Sequence, residues 1–362
     1  MKIGRRTIIL GGVAIPFSLA CFAMVDRFNY FPVNGRLPVD GHPIGFRIAP
    51  LAIRPTDSAG GPISSRNALL RLCTMTDLGP ADVMHLARLL KTVENCGGTF
   101  SQDSSEDLCK LFLDDSKVKS HFGAHSGIFI PRGSHFEVKR SLTESSDTHV
   151  SEAHQDYLLF TMAECGIQLD AEALVCGRIA ARPLRSRFNK ITDDIQNALV
   201  GDEVSMTVSA MLLYGGSKLV DCEFVADRLI GATEPFCYDL HRFYAIAGLV
   251  QMNCLPQKTQ SKLQTVLDHK TNTMLDSQSE DGAWRNSEGR DSLVITSHQL
   301  EWWYLLLGKS DIVEEAIFRA SNYLAAKLQS ATDDELKNFF STWCHVARCL
   351  IIDDWRRGHV FS

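Results

Sequence analysis

"TMLDSQSEDGAWRNSEGRDSLVITSHQLEWW" spans residues 273–303. Gln278 and Trp284 bracket an acidic turn at Asp281-Gly282, and His298 and Glu301 then open an aromatic run. The spacing predicts an outer helix that ends at Gln278, a tight turn at Asp281-Gly282, and Trp284 folded back over the junction. A buried indole N–H needs an acceptor, and a nearby backbone carbonyl is the expected one. The next helix is expected to begin near His298, with Ser297 as its N-cap.

Working outward from this stretch, an approximate repeat emerges. Five segments open on a polar group and turn apolar: "HQDYLLFTMAECG" from His154, "EVSMTVSAMLLYGG" from Glu203, "HRFYAIAGLVQMN" from His241, "HQLEWWYLLLG" from His298 and "HVARCLIIDDW" from His345. Their starts lie 38 to 57 residues apart, the period of helical hairpins stacked in an array or closed into a ring. These five are apolar nearly all round, as helices enclosed by others should be. The intervening segments, such as "KLQTVLDHKTNTMLDSQ" and "IVEEAIFRASNYLAAKLQ", carry one charged face and read as outer helices. Sustained period-2 alternation is absent, so no extensive sheet is expected. The expected fold class is all-α.

The remainder of the chain divides by composition. Residues 1–25 join a positive "MKIGRR" to the uncharged run "TIILGGVAIPFSLACFAMV" (7–25), close to the shortest length that spans a bilayer as a helix. The positive residues precede the run, which places the body outside the cytoplasm, periplasmic or in the cell envelope. Three readings stay open: a retained signal anchor, a cleaved signal peptide, or a lipoprotein signal at Cys21 preceded by "SLA". Arg5-Arg6 also resembles a twin-arginine signal. Residues 26–63 are rich in Pro and Gly and read as a linker. The helical domain is expected over 64–355, with 96–150 an irregular, loop-rich part and 356–362 a tail.

Charge narrows the partners. The chain of 362 residues carries a formal −6, and setting aside Lys2, Arg5 and Arg6 leaves about −9 on the rest. Phosphate backbones would repel that body, so nucleic acid is excluded as a partner class. Eleven cysteines occur without CxxC pairs or zinc-finger spacing. They read as buried thiols, or as disulfides where an exported body is oxidised.

"LDSQSEDGAW" is similar to the Gln–Trp repeat of the terpenoid cyclase and protein prenyltransferase superfamily, with Gln278, Asp281, Gly282 and Trp284 as its motif residues. "SHQLEWWYLLLG", "LHRFYAIAGL" and "TWCHVARCLI" resemble its inner helices, most of all those of squalene-cyclase-like proteins of planctomycete bacteria. The resemblance covers about residues 150–350, and 64–95 loosely. It implies an α/α toroid, an inner ring of parallel helices inside an outer ring, around an apolar central cavity. Two enzymatic carry-overs lack their residues. Asp193-Asp194, Asp333-Asp334 and Asp353-Asp354 do not form the D-x-D-D acid motif of protonating cyclases, and no zinc set like that of the prenyltransferases stands out.

Candidate site residues follow from the repeat. His154, Glu203, His241, His298 and His345 would sit at one end of the ring, and Glu301, one turn beyond His298, would share its face. His241, His298 and Glu301 are the candidates for acid–base chemistry, because imidazole titrates near neutral pH. His154, Glu203, Asp239, His345, Trp302 and Tyr244 are candidates for lining the cavity. Imidazoles and a carboxylate converging there also suit a divalent metal. The competing reading is that these histidines cap helices and bind loop backbone. The function expected from the resemblance is binding or transformation of an apolar isoprenoid or lipid near a membrane. The alternative is a non-catalytic envelope scaffold or protein-interaction module. A carbohydrate-active toroid, with Glu203 and Glu301 as its carboxylate pair, ranks last.

Overall fold

The computed structural model describes residues 69, 71–75, 78–98, 104–122, 129–132, 135–138, 157–168, 170–175, 180–184, 209, 222–231, 239–252, 255–289, 292–305 and 311–358. The hydrophobic run 7–25, the linker 26–63, His154 and Glu203 lie outside them. Among the described residues no helix is long and apolar enough to cross a membrane.

The described residues are mostly helical, as the periodicity requires. Its helices are α1 (Pro80–Asn95), α2 (Ser105–Leu111), α3 (Asp115–Phe122), α4 (Tyr157–Glu164), α5 (Cys222–Gly231), α6 (Leu240–Met252), α7 (Gln257–Ser277), α8 (Ser292–Leu305), α9 (Asp311–Ser330), α10 (Asp333–Asn338) and α11 (Phe340–Arg356). Two small antiparallel hairpins were not foreseen: β1 (Phe129–Arg132) with β2 (His135–Val138), and β3 (Glu172–Val175) with β4 (Ala180–Pro183). Arg132 pairs with His135, so the dipeptide between them in sequence is Gly133-Ser134, a two-residue hairpin signal. The stretch expected to be irregular therefore holds α2, α3 and the first hairpin.

Local chemistry sets several helix ends. Pro80 opens α1, and the Asp82 carboxylate accepts from the Gly79 N–H at 3.1 Å. Thr332 and Glu335 form a reciprocal capping box at α10. Ser297, in contrast, is no cap. α8 starts five residues earlier, and the Ser297 hydroxyl donates to the Leu293 carbonyl at 2.8 Å within the helix. Leu293, Val294 and Ile295 are apolar enough to prolong the helix into the core, and a mid-helix serine satisfies itself by bonding back one turn.

Burial separates two kinds of helix. α7 buries Thr259, Leu263, Leu267 and Met274 along one stripe of a 21-residue helix. α8 is buried continuously from Ile295 to Leu305, and α11 from Phe340 to Asp353. The enclosed helices contact one another in order: α1 packs on α4, α6 on α8, α8 on α11, and α11 on α1. Phe160 of α4 meets Tyr244 of α6 edge to face, with centroids 5.7 Å apart, so α4 also touches α6. α7 covers α6, while α9 covers α8 and α11.

The Gln278–Trp284 junction fastens this outer layer. Gln278 Nε2 donates to the carbonyls of Gly282 and Ala316 at 2.9 and 2.8 Å, and its Oε1 accepts from Arg319 at 2.5 Å. One side chain thus ties the end of α7 to α9. Gly282 has φ 90°, and a Cβ there would stand 2.3 Å from the Arg319 carbonyl oxygen, so only glycine fits. The Trp284 indole N–H finds the expected backbone acceptor, the Met274 carbonyl at 2.7 Å.

Candidate functional site

Histidines recur on the enclosed helices with a polar partner three residues later: His85 and Arg88 on α1, His241 and Tyr244 on α6, His298 and Glu301 on α8, His345 and Arg348 on α11. A three-residue step places both side chains on one helix face, one turn apart. The four helices bring these pairs together as two tiers.

The first tier is an arc of imidazoles. Ring centroids lie 5.1 Å apart for His85 and His345, 4.3 Å for His345 and His298, and 5.0 Å for His298 and His241. All four are buried. His85 also stacks on Tyr157 of α4 at 4.5 Å.

One turn further along stands a network of paired charges. The Glu301 Oε1 accepts from His345 Nδ1 at 2.9 Å and from Arg348 Nη1 at 2.6 Å. Arg348 Nε donates to Thr92 Oγ1 at 2.9 Å, which joins α11 to α1. Arg88 grips Glu164 through Nε at 2.5 Å and Nη2 at 3.3 Å, and donates to the Tyr157 hydroxyl at 2.5 Å. Tyr244 reaches Glu164 from α6 at 3.4 Å, and Arg348 Nη2 lies 3.6 Å from the same carboxylate. The side chains of Arg88, Glu164, Glu301 and Arg348 are 3, 10, 7 and 4% exposed, so two cations and two anions balance in the interior.

Burial governs the protonation of this network. It would by itself raise the Glu301 carboxyl, but His345, Arg348 and Arg88 outweigh it and hold the group well below the usual carboxylate range. The Arg348 guanidinium is the permanent part of that attraction. Burial lowers the His345 imidazole by more than Glu301 raises it, leaving the ring neutral near pH 7 with its Nδ1–H on the carboxylate. Burial also pushes the Tyr157 and Tyr244 hydroxyls up, so both stay protonated; Tyr244 donates to Glu164, while Tyr157 accepts from Arg88.

The structure unites four of the expected site residues, His241, His298, Glu301 and His345, and brings Tyr244 to the same network. Asp239 stands elsewhere. It enters α6 at φ 68° and forms an ion pair with Arg242, whose Nη1 holds the Leu229 carbonyl at 2.8 Å, so it joins α6 to α5. Trp302 packs on Phe243 at 5.7 Å and Trp303 sits edge-on to Trp284 at 5.2 Å; both belong to the hydrophobic core. The capping expectation also changes: His298 and His345 lie inside their helices, and the His298 Nδ1 meets the Val294 carbonyl one turn back at 3.0 Å.

His85, Arg88, Thr92, Glu164 and Arg348 were not anticipated. The signal that finds most of them is the three-residue step itself, "HLAR", "HRFY", "HQLE" and "HVAR", with "HQDY" at 154–157 as a fifth instance in the sequence.

For a metal, His298, Glu301 and His345 offer ligand atoms that all lie within 4.8 Å of one another. This buried group could bind a metal ion. Cysteine is a weaker candidate: Cys109, Cys344 and Cys349 are free and buried, and burial pushes their thiols far above the ordinary value.

Fold and site together define a mostly helical protein whose enclosed helices converge on a buried His–Arg–Glu network. No known family model, curated protein or solved structure matches the chain.

Proposed function

We propose that this chain is an α/α toroid of the squalene-cyclase-like kind, anchored by residues 7–25 with its body outside the cytoplasm, and that it works as a non-catalytic scaffold through its outer surface. The ring reading is supported by the cyclic contacts of α1, α4, α6, α8 and α11, and by the Gln278–Trp284 motif. The anchor reading rests on the sequence of residues 1–25.

The observation that carries the scaffold reading is the pair of buried ion pairs, Arg88–Glu164 and Arg348–Glu301, at the meeting point of the enclosed helices. An apolar isoprenoid held there would have to sit against ionised groups, and burying charge against hydrocarbon is strongly unfavourable. A hydrolytic role for Glu301 meets a similar obstacle, because Arg348 and His345 already take one of its oxygens. Paired charges across helices instead favour one register of the ring, which suits a rigid interaction module.

Native mass spectrometry of the detergent-solubilised full chain, before and after solvent extraction, tests this reading. The expected result is loss of no lipid-sized mass beyond the surrounding detergent and membrane lipid. A stoichiometric apolar molecule that survives detergent exchange and leaves only on extraction would restore the isoprenoid or lipid reading.

A further inference from the structure

The cysteines of this chain carry no motif, yet the fold sets two of them side by side. Cys109 lies on α2, and Cys165 closes the last turn of α4, where Gly166 at φ 87° ends the helix. The Thr161 carbonyl receives both residues: the Cys165 N–H at 2.9 Å, one turn back along α4, and the Cys109 thiol at 4.0 Å from α2. Cys109 thus meets α4 at the turn that carries Cys165. There the two thiols are close enough to share a side-chain hydrogen bond. Both residues are buried, and α2 packs on α4 around them.

Two thiols in contact can pack, ligate a metal or join. A metal needs further ligands, and among the described residues the group of mutually close ligand atoms lies elsewhere, at His298, Glu301 and His345. Joining asks for less. The sulfurs have only to close from contact to about 2.05 Å, a shift that side-chain rotation can supply.

We propose that Cys109 and Cys165 are a disulfide site, and that the bond pins α2 to the end of α4. The oxidant is a disulfide of low molecular weight or of a partner oxidase. One cysteine thiolate attacks it, forming a mixed disulfide and expelling the first thiolate. The second cysteine thiolate attacks the bonded cysteine sulfur and expels the other. The pair loses two electrons and two protons, and the oxidant becomes two thiols.

The order of events follows from burial. In the unfolded chain both thiols are open to solvent and titrate near the ordinary value of about 8.5. Once α2 docks, burial lifts the Cys109 thiol well above that value, and Glu164 and Glu94 press the same way. Exchange therefore belongs to folding, and the docked helices then shield the bond from reductants. The bond closes the loop that holds α3 and the first hairpin. An oxidant of this class is met outside the cytoplasm, the location proposed above, but the pairing rests on the fold alone.

The experiment makes that independence explicit. The full chain is synthesised cell-free into detergent, in a buffer of oxidised and reduced glutathione, so that exchange is open while it folds. A parallel synthesis contains excess dithiol reductant. Free thiols are alkylated, and the oxidised protein is mapped by mass spectrometry without reduction. The expected map joins the peptide of Cys109 to that of Cys165, lighter by two hydrogens than the two separate thiol peptides. The oxidised protein should melt about 5 °C above the reduced one, as closure of a loop this long predicts. Cys109→Ser and Cys165→Ser should each abolish the joined peptide and the difference in Tm. Cys349→Ser should change neither, since that thiol is committed to the Ser297 carbonyl at 3.2 Å. The wild-type map requires no variant to fold. Both thiols alkylated in the oxidised protein, or either joined to another cysteine instead, would show the contact to be thiol packing and overturn the site.

Discussion

Two buried polar regions of this molecule solve the same problem in opposite ways. At the Gln278–Trp284 junction, most polar atoms are satisfied by backbone carbonyls: Gln278 by Gly282 and Ala316, and Trp284 by Met274. At the centre, the side chains of Arg88, Glu164, Glu301, His345 and Arg348 satisfy one another across four helices. Backbone acceptors come with the chain wherever it goes, so the junction is set largely by local sequence and one neighbouring helix. Side-chain partners exist only after distant helices have docked. The centre should therefore be the less forgiving of single changes.

The largest effect is expected for Arg348→Met, which strips Glu301 of its permanent cation while leaving the charge buried. Breaking a buried pair from one side costs about 3–5 kcal/mol. The double variant Arg348→Met/Glu301→Gln should recover at least half of the loss, since the amide still accepts from His345. Urea denaturation of the single and double variants checks both. A double variant no better than the single would mean that the pair is not the unit of stability.

Acid should loosen the centre before the junction. His345 has a lowered value in the folded state, so the unfolded chain binds the proton first. Its contribution is full above the unfolded value of about 6.5 and declines as pH falls below it. Glu301 is also lowered, so its contribution is present above about 4.3 and is lost as pH falls further toward the folded value. Both signs point the same way. Urea midpoints at descending pH should begin to drop near 6.5, and His345→Gln should flatten that first part of the slope.

At the junction, Gly282→Ala should cost about 2–3 kcal/mol, because a Cβ 2.3 Å from the Arg319 carbonyl oxygen adds a clash to the left-handed φ. Gln278→Ala should cost about 1–3 kcal/mol through the partners it leaves behind. Asp281→Ala should cost less than about 1 kcal/mol, since its ion pair with Arg285 is half exposed and screened. Thermal melts of the three variants test this order. A large loss for Asp281→Ala would show the acidic turn residue to be as structural as the glutamine.

How far the sequence could be read follows the same division. The outer helix ending at Gln278, the glycine turn and the indole acceptor were legible because they lie within eleven residues of chain. The imidazole arc was partly legible, since His241, His298 and His345 open apolar segments at repeat spacing. Arg88 and Arg348 were not, because an arginine in a helix is ordinarily a solvated residue, and nothing local says it faces a carboxylate on another helix. The hairpins were missed because four-residue strands give too few alternations to outweigh a loop reading.

The sequence by itself therefore determined helical class, the outer and enclosed helices, the glycine turn and the backbone acceptor of the Trp284 indole. Each rests on periodicity or on bonds between near neighbours. Only the tertiary structure decided that Glu301 meets Arg348, that Glu164 meets Arg88, that Asp239 turns away to Arg242, and that four histidines form one arc. Those contacts depend on helix rotation and register to within about a turn, roughly 5.4 Å, and apolar periodicity alone does not specify register that finely between helices far apart in the chain.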